Sequence, residues 1–162
     1  MPTPDYVLAL RAKVGTALLW LPAVTAVVLR GPQVLLVRRA DTGAWTPVTG
    51  IVDPGEHPAV AAVREVAEEA GVRAAAESLV SVGVTPPIEY ANGDRSQYLD
   101  LVFRLRWESG DPAPLDGENT EAGWFALDAM PPLGPSMRDR VQAAVDNPAR
   151  ARFTSDSAGR TG

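Results

Sequence analysis

The alternation of hydrophobic and polar residues along the chain predicts several short strands and three helices. Residues 23–30 and 33–39 are rich in valine and leucine, and the Gly31-Pro32 turn between them predicts a hairpin. The other predicted strands are a short one at residues 45–48, then residues 79–84, 97–107 and 124–127. The predicted helices are residues 5–14, 58–70 and 136–145. Strands interleaved with two main helices predict an α/β fold in which helices pack on a mixed sheet.

The two ends of the chain are predicted to differ from its middle. Tyr6, Val7, Leu10 and Val14 are spaced for one apolar face of the first helix, which could pack on a second copy, so we predict a homodimer. The residues from Thr154 onward are small and polar and predict disorder. We therefore divide the chain into an N-terminal helix over residues 1–16, one domain over residues 17–150 and a disordered tail over residues 151–162. Within the domain, residues 110–123 are predicted as a loop.

Composition and charge exclude several classes of function. The chain has 162 residues, a formal net charge of −5 and no cysteine, which excludes disulfides, thiolate metal sites and cysteine nucleophiles together. No apolar run is long enough to span a bilayer, and no basic segment precedes an apolar stretch at the N-terminus. We therefore expect a cytoplasmic protein with no membrane partner. No basic stripe appears, so a long nucleic acid is not expected as a partner, whereas a small polyanion is compatible with a metal-masked acidic site.

The predicted helix at residues 58–70 carries three glutamates on one side. At ~100° per residue, Glu65, Glu68 and Glu69 fall within an arc of ~100°. The predicted core face lies opposite and consists of Val60, Val63, Val66, Ala67 and Ala70. Like charges at this spacing repel by roughly a few tenths of a kcal/mol each, but a hard divalent cation such as Mg²⁺ would make the cluster favourable. Taken alone, the helix favours a simpler interpretation, a solvated acidic face with an ion pair between Arg64 and Glu68.

The spacing of the residues around this helix changes that interpretation. Gly50 is followed by five residues, Glu56, seven more residues and then Arg64-Glu65-Val66-Ala67-Glu68-Glu69-Ala70-Gly71-Val72. This stretch resembles the Nudix box, GX5EX7REUXEEXGU with U aliphatic, at all nine specified positions over 23 residues. The hairpin before the box and Trp124-Phe125 after it also resemble the family, so the likeness covers residues 20–148.

The resemblance to the MutT-like Nudix hydrolases implies a fold and an activity. The implied fold is an α/β/α sandwich with a mixed sheet, in which the box forms a loop–helix–loop. The implied activity is Mg²⁺-dependent hydrolysis, with Mn²⁺ able to substitute, of the diphosphate linkage in a nucleoside diphosphate joined to another moiety. Such compounds include nucleoside triphosphates, nucleotide sugars or ADP-ribose, and dinucleoside polyphosphates. The alternative is a catalytically silent Nudix-fold module that senses a nucleotide, although such modules usually carry degenerate boxes and this box is intact.

The same resemblance implies roles for residues of the box. Glu65, Glu68 and Glu69 match the catalytic, metal-binding glutamates of the family. Arg64 matches the arginine that holds these glutamates in place by ion pairing. The structural positions of the motif are Glu56, which stabilises the loop, and Gly71, which follows the helix.

Residues outside the helix complete the implied metal site. A backbone carbonyl before the helix is often a ligand in the family, and here Thr49 or Gly50 would supply it. Thr49 stands where relatives commonly carry a first glycine, and it cannot take a positive φ as cheaply. Many members add a glutamate from a distant loop, which matches Glu118, with Glu121 as its rival. His57 precedes the helix, and we favour a role at the helix start over one as general base.

The substrate markers in the sequence conflict. Pro86 and Pro87 lie near where ADP-ribose-cleaving relatives carry a proline, whereas Tyr90 lies near where dinucleoside-polyphosphate relatives carry a tyrosine. A turn and a packed ring explain them equally well. Two arginines that end a strand before the box could meet phosphate oxygens, and tyrosines could stack on a base. The candidate substrate-binding residues are Arg38, Arg39 and Tyr90, with Tyr98 as a further stacking candidate.

Overall fold

The computed structural model describes residues 3–155 and arranges them as a mixed sheet with helices on both faces. The helices of this part of the chain are α1 (Asp5–Val14), α2 (Pro58–Ala70) and α3 (Pro135–Asp146). Its strands are β1 (Leu19–Arg30), β2 (Gln33–Arg39), β3 (Trp45–Thr46), β4 (Val48–Ile51), β5 (Arg73–Val84), β6 (Ile88–Glu89), β7 (Arg95–Ser109) and β8 (Asn119–Ala126). None of the helices within residues 3–155 is long and apolar enough to cross a membrane.

The sheet is organised around β1, which has two different neighbours along one edge. The strand order is β3-β2-β1-β7-β5, with β4 paired to β1, β6 to β7 and β8 to β2. β1 runs parallel to β7 and antiparallel to both β2 and β4. Residues 23–26 of β1 pair with β4, whereas residues 29 and 30 pair with β2. The loop from β4 into α2 therefore starts at Ile51, opposite Ala23 and at the end of β4 that is farther from the β1–β2 pairing.

Alternate side chains of β1 enter two separate cores. Val24 and Val28 belong to the core beneath α2, where they are joined by Val66 of that helix. Val27 belongs to the core beneath α3, together with Val141. This period-two alternation is what a strand buried on both faces requires. The predicted α/β/α sandwich with a mixed sheet is thereby confirmed.

Most predicted elements are confirmed, and the main differences lie at strand starts. The hairpin turn and both ends of α2 are as predicted, and the other two helices lie at their predicted places. β1, β5, β7 and β8 begin earlier than the pattern indicated, and the short strand predicted at residues 45–48 is divided into β3 and β4, which continues to Ile51. Residues 119–123, predicted as part of a loop, pair with β2 as far as Asn119 opposite Arg39. The polar run from Asn119 to Glu121 has no alternation, so only its pairing with β2 identifies it as strand.

The predicted core face of α2 is wrong in part. Val60 is 57% exposed and Ala67 is also exposed, whereas Glu65 is fully buried and Glu69 is only 4% exposed. The apolar residues of α2 that are buried in the core are Ala61, Ala62, Val66 and Ala70. Their alanine side chains are small, so the helix lies close to the sheet. Neighbouring side chains donate hydrogen bonds to the two glutamates, and these offset part of the cost of burying them.

The N-terminal helix α1 lies against its own domain. Val7 is its buried hydrophobic residue, and Arg11 donates a hydrogen bond to the Arg95 carbonyl at 2.6 Å. Leu10 and Val14, which the pattern placed on the same apolar face, remain exposed. The helix bounds are thus confirmed, while the face predicted for it is only partly buried.

The C-terminal segment pairs with β5 through the backbone of Arg152. Arg152 bridges Ser81 in parallel, because its N–H donates to the Val80 carbonyl and its carbonyl accepts from the Val82 N–H, each at 2.9 Å. The first residues of the predicted tail are therefore paired with β5. Residues 156–162 of that tail lie outside the described residues.

Candidate active site

Strand β4 places a glycine, which has no side chain, against α2. A Cβ at Gly50 would overlap the Glu65 side chain, because its Cδ, Cγ and Oε1 atoms lie closer than real Cβ atoms approach any neighbour. Only glycine leaves this space. Thr49, the residue before it, pairs with Thr25 in an ordinary strand, and Asn147 is the one non-glycine with positive φ within residues 3–155. The threonine in place of the usual glycine is therefore accommodated without left-handed backbone.

Arg64 ties the loop before α2 to the helix. Its Nε and Nη2 bind the two oxygens of Glu56 at 2.8 Å each, and the Asp53 N–H donates to Glu56 at 3.2 Å. Its Nη1 reaches Glu65 at 2.9 Å and Glu68 at 3.1 Å. The hydrogen bond from Arg64 lowers the pKa of Glu56, which keeps that carboxylate charged. Glu56 thus occupies the loop-holding position that the sequence predicted, and Arg64 contacts two of the three box glutamates on α2.

Glu65 is a buried carboxylate in which one of the two oxygens lacks a hydrogen-bond partner among the described residues. Arg64 satisfies Oε1, whereas Oε2 is sealed from solvent and has no hydrogen-bond partner within residues 3–155. Burial raises the pKa of Glu65 to about 7, against the opposing charge of Arg64. An unpaired buried oxygen of this kind is costly unless a hydrogen-bond donor or a cation binds it.

Glu69 lies one turn further along α2 and meets the start of β8. Asn119 Nδ2 donates to Glu69 Oε2 at 2.9 Å, and both side chains are buried. Burial raises the pKa of Glu69 to about 7, and the hydrogen bond from Asn119 opposes that rise. Asn119 was not among the predicted site residues, because a lone asparagine 50 residues from Glu69 carries no recognisable pattern.

A second acidic segment comes to Glu69 from the loop before β8. Single carboxylate oxygens of Glu69, Asp116 and Glu118 all lie within 4.8 Å of one another. The structure therefore brings the predicted Glu118 to the box, while its rival Glu121 pairs with Arg38 at 2.7 Å instead. Asp116 was missed, although it stands two residues before Glu118 and accepts the Glu118 N–H at 3.1 Å. Three carboxylate oxygens at this separation suit a hard cation such as Mg²⁺.

Glu68, the third box glutamate, lies apart from this group. Its side chain is 42% exposed and its described partner is Arg64.

The helix α2 begins and ends as the sequence indicated. His57 precedes its first residue without a side-chain cap, and Gly71 takes a positive φ of 68° while its N–H bonds the Ala67 carbonyl. His57 therefore has the helix-start position that we favoured.

The two arginines predicted to bind substrate are held by different partners. Arg38 is held by Glu121 and by the Gly43 carbonyl, whereas Arg39 forms a forked pair with Asp41 at 2.9 and 2.7 Å. The hydrogen bond with Asp41 raises the pKa of Arg39, and the charges of Glu118 and Glu69 add to that rise. Arg39 is thus electrostatically coupled to the acidic group.

The two tyrosines named from the sequence lie together. The hydroxyls of Tyr90 and Tyr98 share a hydrogen bond of 2.7 Å. Burial raises the pKa of Tyr90, and Tyr98 adds to the rise while the charge of Arg39 opposes it. Tyr90 therefore lies within the electrostatic range of Arg39. Pro86 and Pro87 are exposed in the preceding loop.

Comparisons of the sequence with known proteins agree on one family of hydrolases. The model of the NUDIX domain family matches residues 20–144. The NAD-capped RNA hydrolase NudC of Pseudomonas aeruginosa is 34% identical over 130 residues, covering 77% of this chain and 42% of the relative. A MutT-like protein of Streptomyces ambofaciens is 34% identical over 109 residues, covering 67% of this chain and 65% of the relative.

A solved structure agrees with the sequence relatives. The MutT NUDIX hydrolase from Burkholderia pseudomallei has a TM-score of 0.61 and 30% identity, and the match covers 77% of this chain and 98% of that one. The chain spans less than half the length of its NudC relatives, but nearly the whole of this solved chain.

Proposed function

The chain belongs to the NUDIX family of hydrolases, and we propose that it hydrolyses the diphosphate linkage of a nucleoside diphosphate joined to another moiety, with Mg²⁺ as its cofactor. The observation that carries the proposal is the group formed by Glu69, Asp116 and Glu118, whose oxygens lie within 4.8 Å of one another at the end of an intact box helix. A solvated acidic face would not bury Glu69 in this group.

We propose that the box glutamates and the second acidic segment hold the metal. The buried Oε2 of Glu65, which has no partner among the described residues, fits a cation. The proposed ligands are Glu65, Glu68, Glu69, Asp116 and Glu118, with the carbonyl of Thr49 or Gly50. When bound, Mg²⁺ neutralises phosphate charge and lowers the pKa of a coordinated water. Mn²⁺ has similar ligand preferences and is expected to substitute.

The chain's own residues would position the substrate around that centre. Arg64 holds Glu65 and Glu68 and takes no part in substrate contact, because its donors are occupied within the box. Arg39 is coupled to the acidic group and can exchange Asp41 for a phosphate oxygen of the substrate. The Tyr90–Tyr98 pair supplies aromatic surface for a base. Arg38 is the weaker candidate, since Glu121 already holds it.

The relatives narrow the choice of substrate to test first. Several carry the name NAD-capped RNA hydrolase, and NAD joins two nucleotides through a diphosphate, which is the linkage proposed here. The net charge of −5 favours a free dinucleotide over a long polyanion such as RNA. We therefore propose small nucleoside diphosphate derivatives as substrates, with NAD and ADP-ribose ahead of nucleoside triphosphates and dinucleoside polyphosphates.

The proposal is tested by a substrate screen with purified protein. NAD, ADP-ribose, nucleoside triphosphates, dinucleoside polyphosphates and a short NAD-capped RNA are incubated with Mg²⁺ or Mn²⁺, and products are separated by chromatography. Cleavage of the diphosphate linkage, lost in excess chelator and restored by either metal, is the expected result. Glu69→Gln should lower the rate by ~10²-fold or more, whereas Glu108→Gln, at an exposed acid near the C-terminal end of β7, should leave it unchanged.

Two outcomes would overturn the proposal. Undiminished turnover in excess chelator would exclude the metal mechanism. Tight binding of these compounds without cleavage of any of them would instead identify a nucleotide-sensing module.

A further inference from the structure

Asn119 connects the two acidic segments of the site. It is the first residue of β8, it follows Glu118 directly, and its amide donates to Glu69 Oε2 at 2.9 Å. Both side chains are buried, so water does not compete for this hydrogen bond. The contact therefore fixes the rotamer of a carboxylate that the helix alone would leave free to turn.

The loop that carries Asp116 and Glu118 is docked on the same end of α2. The N–H groups of Ala113 and Leu115 donate to the Ala70 and Glu69 carbonyls at 3.1 and 3.2 Å. These carbonyls belong to the last turn of the helix, where backbone carbonyls have no hydrogen-bond partner within the helix. The two hydrogen bonds fix the backbone of the loop against the helix, but they do not fix the side chain of Glu69.

We propose that Asn119 is a positioning residue, which holds the Glu69 carboxylate toward Asp116 and Glu118 so that a divalent cation finds its ligands already in place. The inference rests on the proposed function, because it concerns the cation-binding geometry of that site. Asn119 itself acts only through Glu69. Asn119 also pairs with Arg39 of β2, the residue proposed to contact a phosphate of the substrate.

The decisive measurement is Mn²⁺ affinity, followed by the electron paramagnetic resonance signal of free Mn²⁺. Asn119→Leu removes the amide with little change in size. Loss of a hydrogen bond that orients a metal ligand weakens metal affinity by about 10-fold or more. At saturating metal, kcat should fall by a similar factor while KM changes by less than about two-fold. Thr120→Val, on the exposed side of β8, is the matched control and should leave the affinity unchanged.

A double-variant cycle separates positioning from a general loss of structure. Glu69→Gln alone weakens Mn²⁺ binding. If Asn119 acts through Glu69, adding Asn119→Leu to E69Q changes the affinity by less than about two-fold, whereas two independent sites would add their full penalties. The full 10-fold penalty persisting in E69Q would overturn the inference, as would wild-type affinity in N119L. If N119L unfolds at the assay temperature, Asn119→Ser, whose hydroxyl is too short to reach Glu69, is measured against the same two criteria.

Failure of the proposed function has a different signature. Wild-type protein that neither binds Mn²⁺ nor cleaves any diphosphate would overturn the function and this inference together. Wild-type protein that does both, with N119L indistinguishable from it, would overturn the inference alone.

Discussion

Replacing Gly50 by alanine tests how closely β4 and the box helix are fitted together. The added methyl group would overlap three atoms of Glu65, a side chain with no exposed surface. Either the strand moves away from α2, or Glu65 leaves its hydrogen bond with Arg64. Overpacking a core typically costs about 1–3 kcal/mol, and a lost hydrogen bond to a charged group about 1.5–3 kcal/mol.

We therefore expect Gly50→Ala to lower the free energy of unfolding by about 3 kcal/mol, because the two costs overlap. For a chain of this size that corresponds to a fall in Tm of about 6–12 °C, measured by circular dichroism on metal-free protein. Turnover of the best substrate should fall by ~10²-fold, since Glu65 is displaced from a site where charge is stabilised. Gly83→Ala is the matched control, because a Cβ at that strand glycine meets open space.

The structural reason can itself be checked. All the nearest atoms belong to Glu65, so the methyl group should cost much less once that side chain is removed. In the Glu65→Ala background, Gly50→Ala is expected to lower the Tm no more than Gly83→Ala does. The reasoning is refuted if G50A keeps the Tm of G83A in the wild-type chain, or if its full cost persists after Glu65 is truncated.

Four further results are expected. Glu69→Gln and Glu65→Gln should each lower kcat by ~10²-fold or more, whereas Glu56→Gln should act mainly on Tm; the ranking fails if only E56Q lowers kcat. Burial raises the pKa values of Glu65 and Glu69 from 4.5 to about 7, so the metal-free protein binds more protons folded than unfolded and its Tm should fall as pH rises from 5 to 8; a flat profile contradicts this. Arg39→Ala and Tyr90→Ala should mainly raise KM in steady-state kinetics, and wild-type KM in both would place recognition elsewhere. The exposed apolar side chains of α1 should support a homodimer at micromolar concentration, and light scattering that gives a monomer mass would refute it.

The box and its helix were predictable because their signals are local. Pro58 and Gly71 mark the helix ends by backbone chemistry, and the spacing from Gly50 to Val72 is a motif that needs no tertiary information. The burial of Glu65 and Glu69 was not predictable, because a helical wheel assigns every carboxylate to the solvent side. Tertiary contacts reverse that assignment. Gly50 of β4 leaves space for the Glu65 side chain, and Asn119 of β8 donates a hydrogen bond to Glu69.

The second half of the site shows the same limit. Glu118 was found by its resemblance to a family position, but Asp116 and Asn119 carry no motif. Their role arises from a loop that docks on the last turn of α2 through backbone groups, which any sequence could supply. A search for polar residues flanking a predicted distant ligand would have found both, at the cost of many false candidates.

The parallel pairing of β1 with β7 has a consequence for how the chain folds. Each pair in this register, from Leu19 with Ser96 to Leu29 with Arg106, is separated by 77 residues, since 96 − 19 and 106 − 29 are both 77. Contacts of such sequence separation close late and slow the folding of a domain. The box helix lies wholly inside this closed loop, and the residues that complete its acidic site follow after it. A chain leaving the ribosome therefore presents Glu69 without Asn119 and without the second acidic segment until β8, which follows the strand that closes the sheet, has emerged.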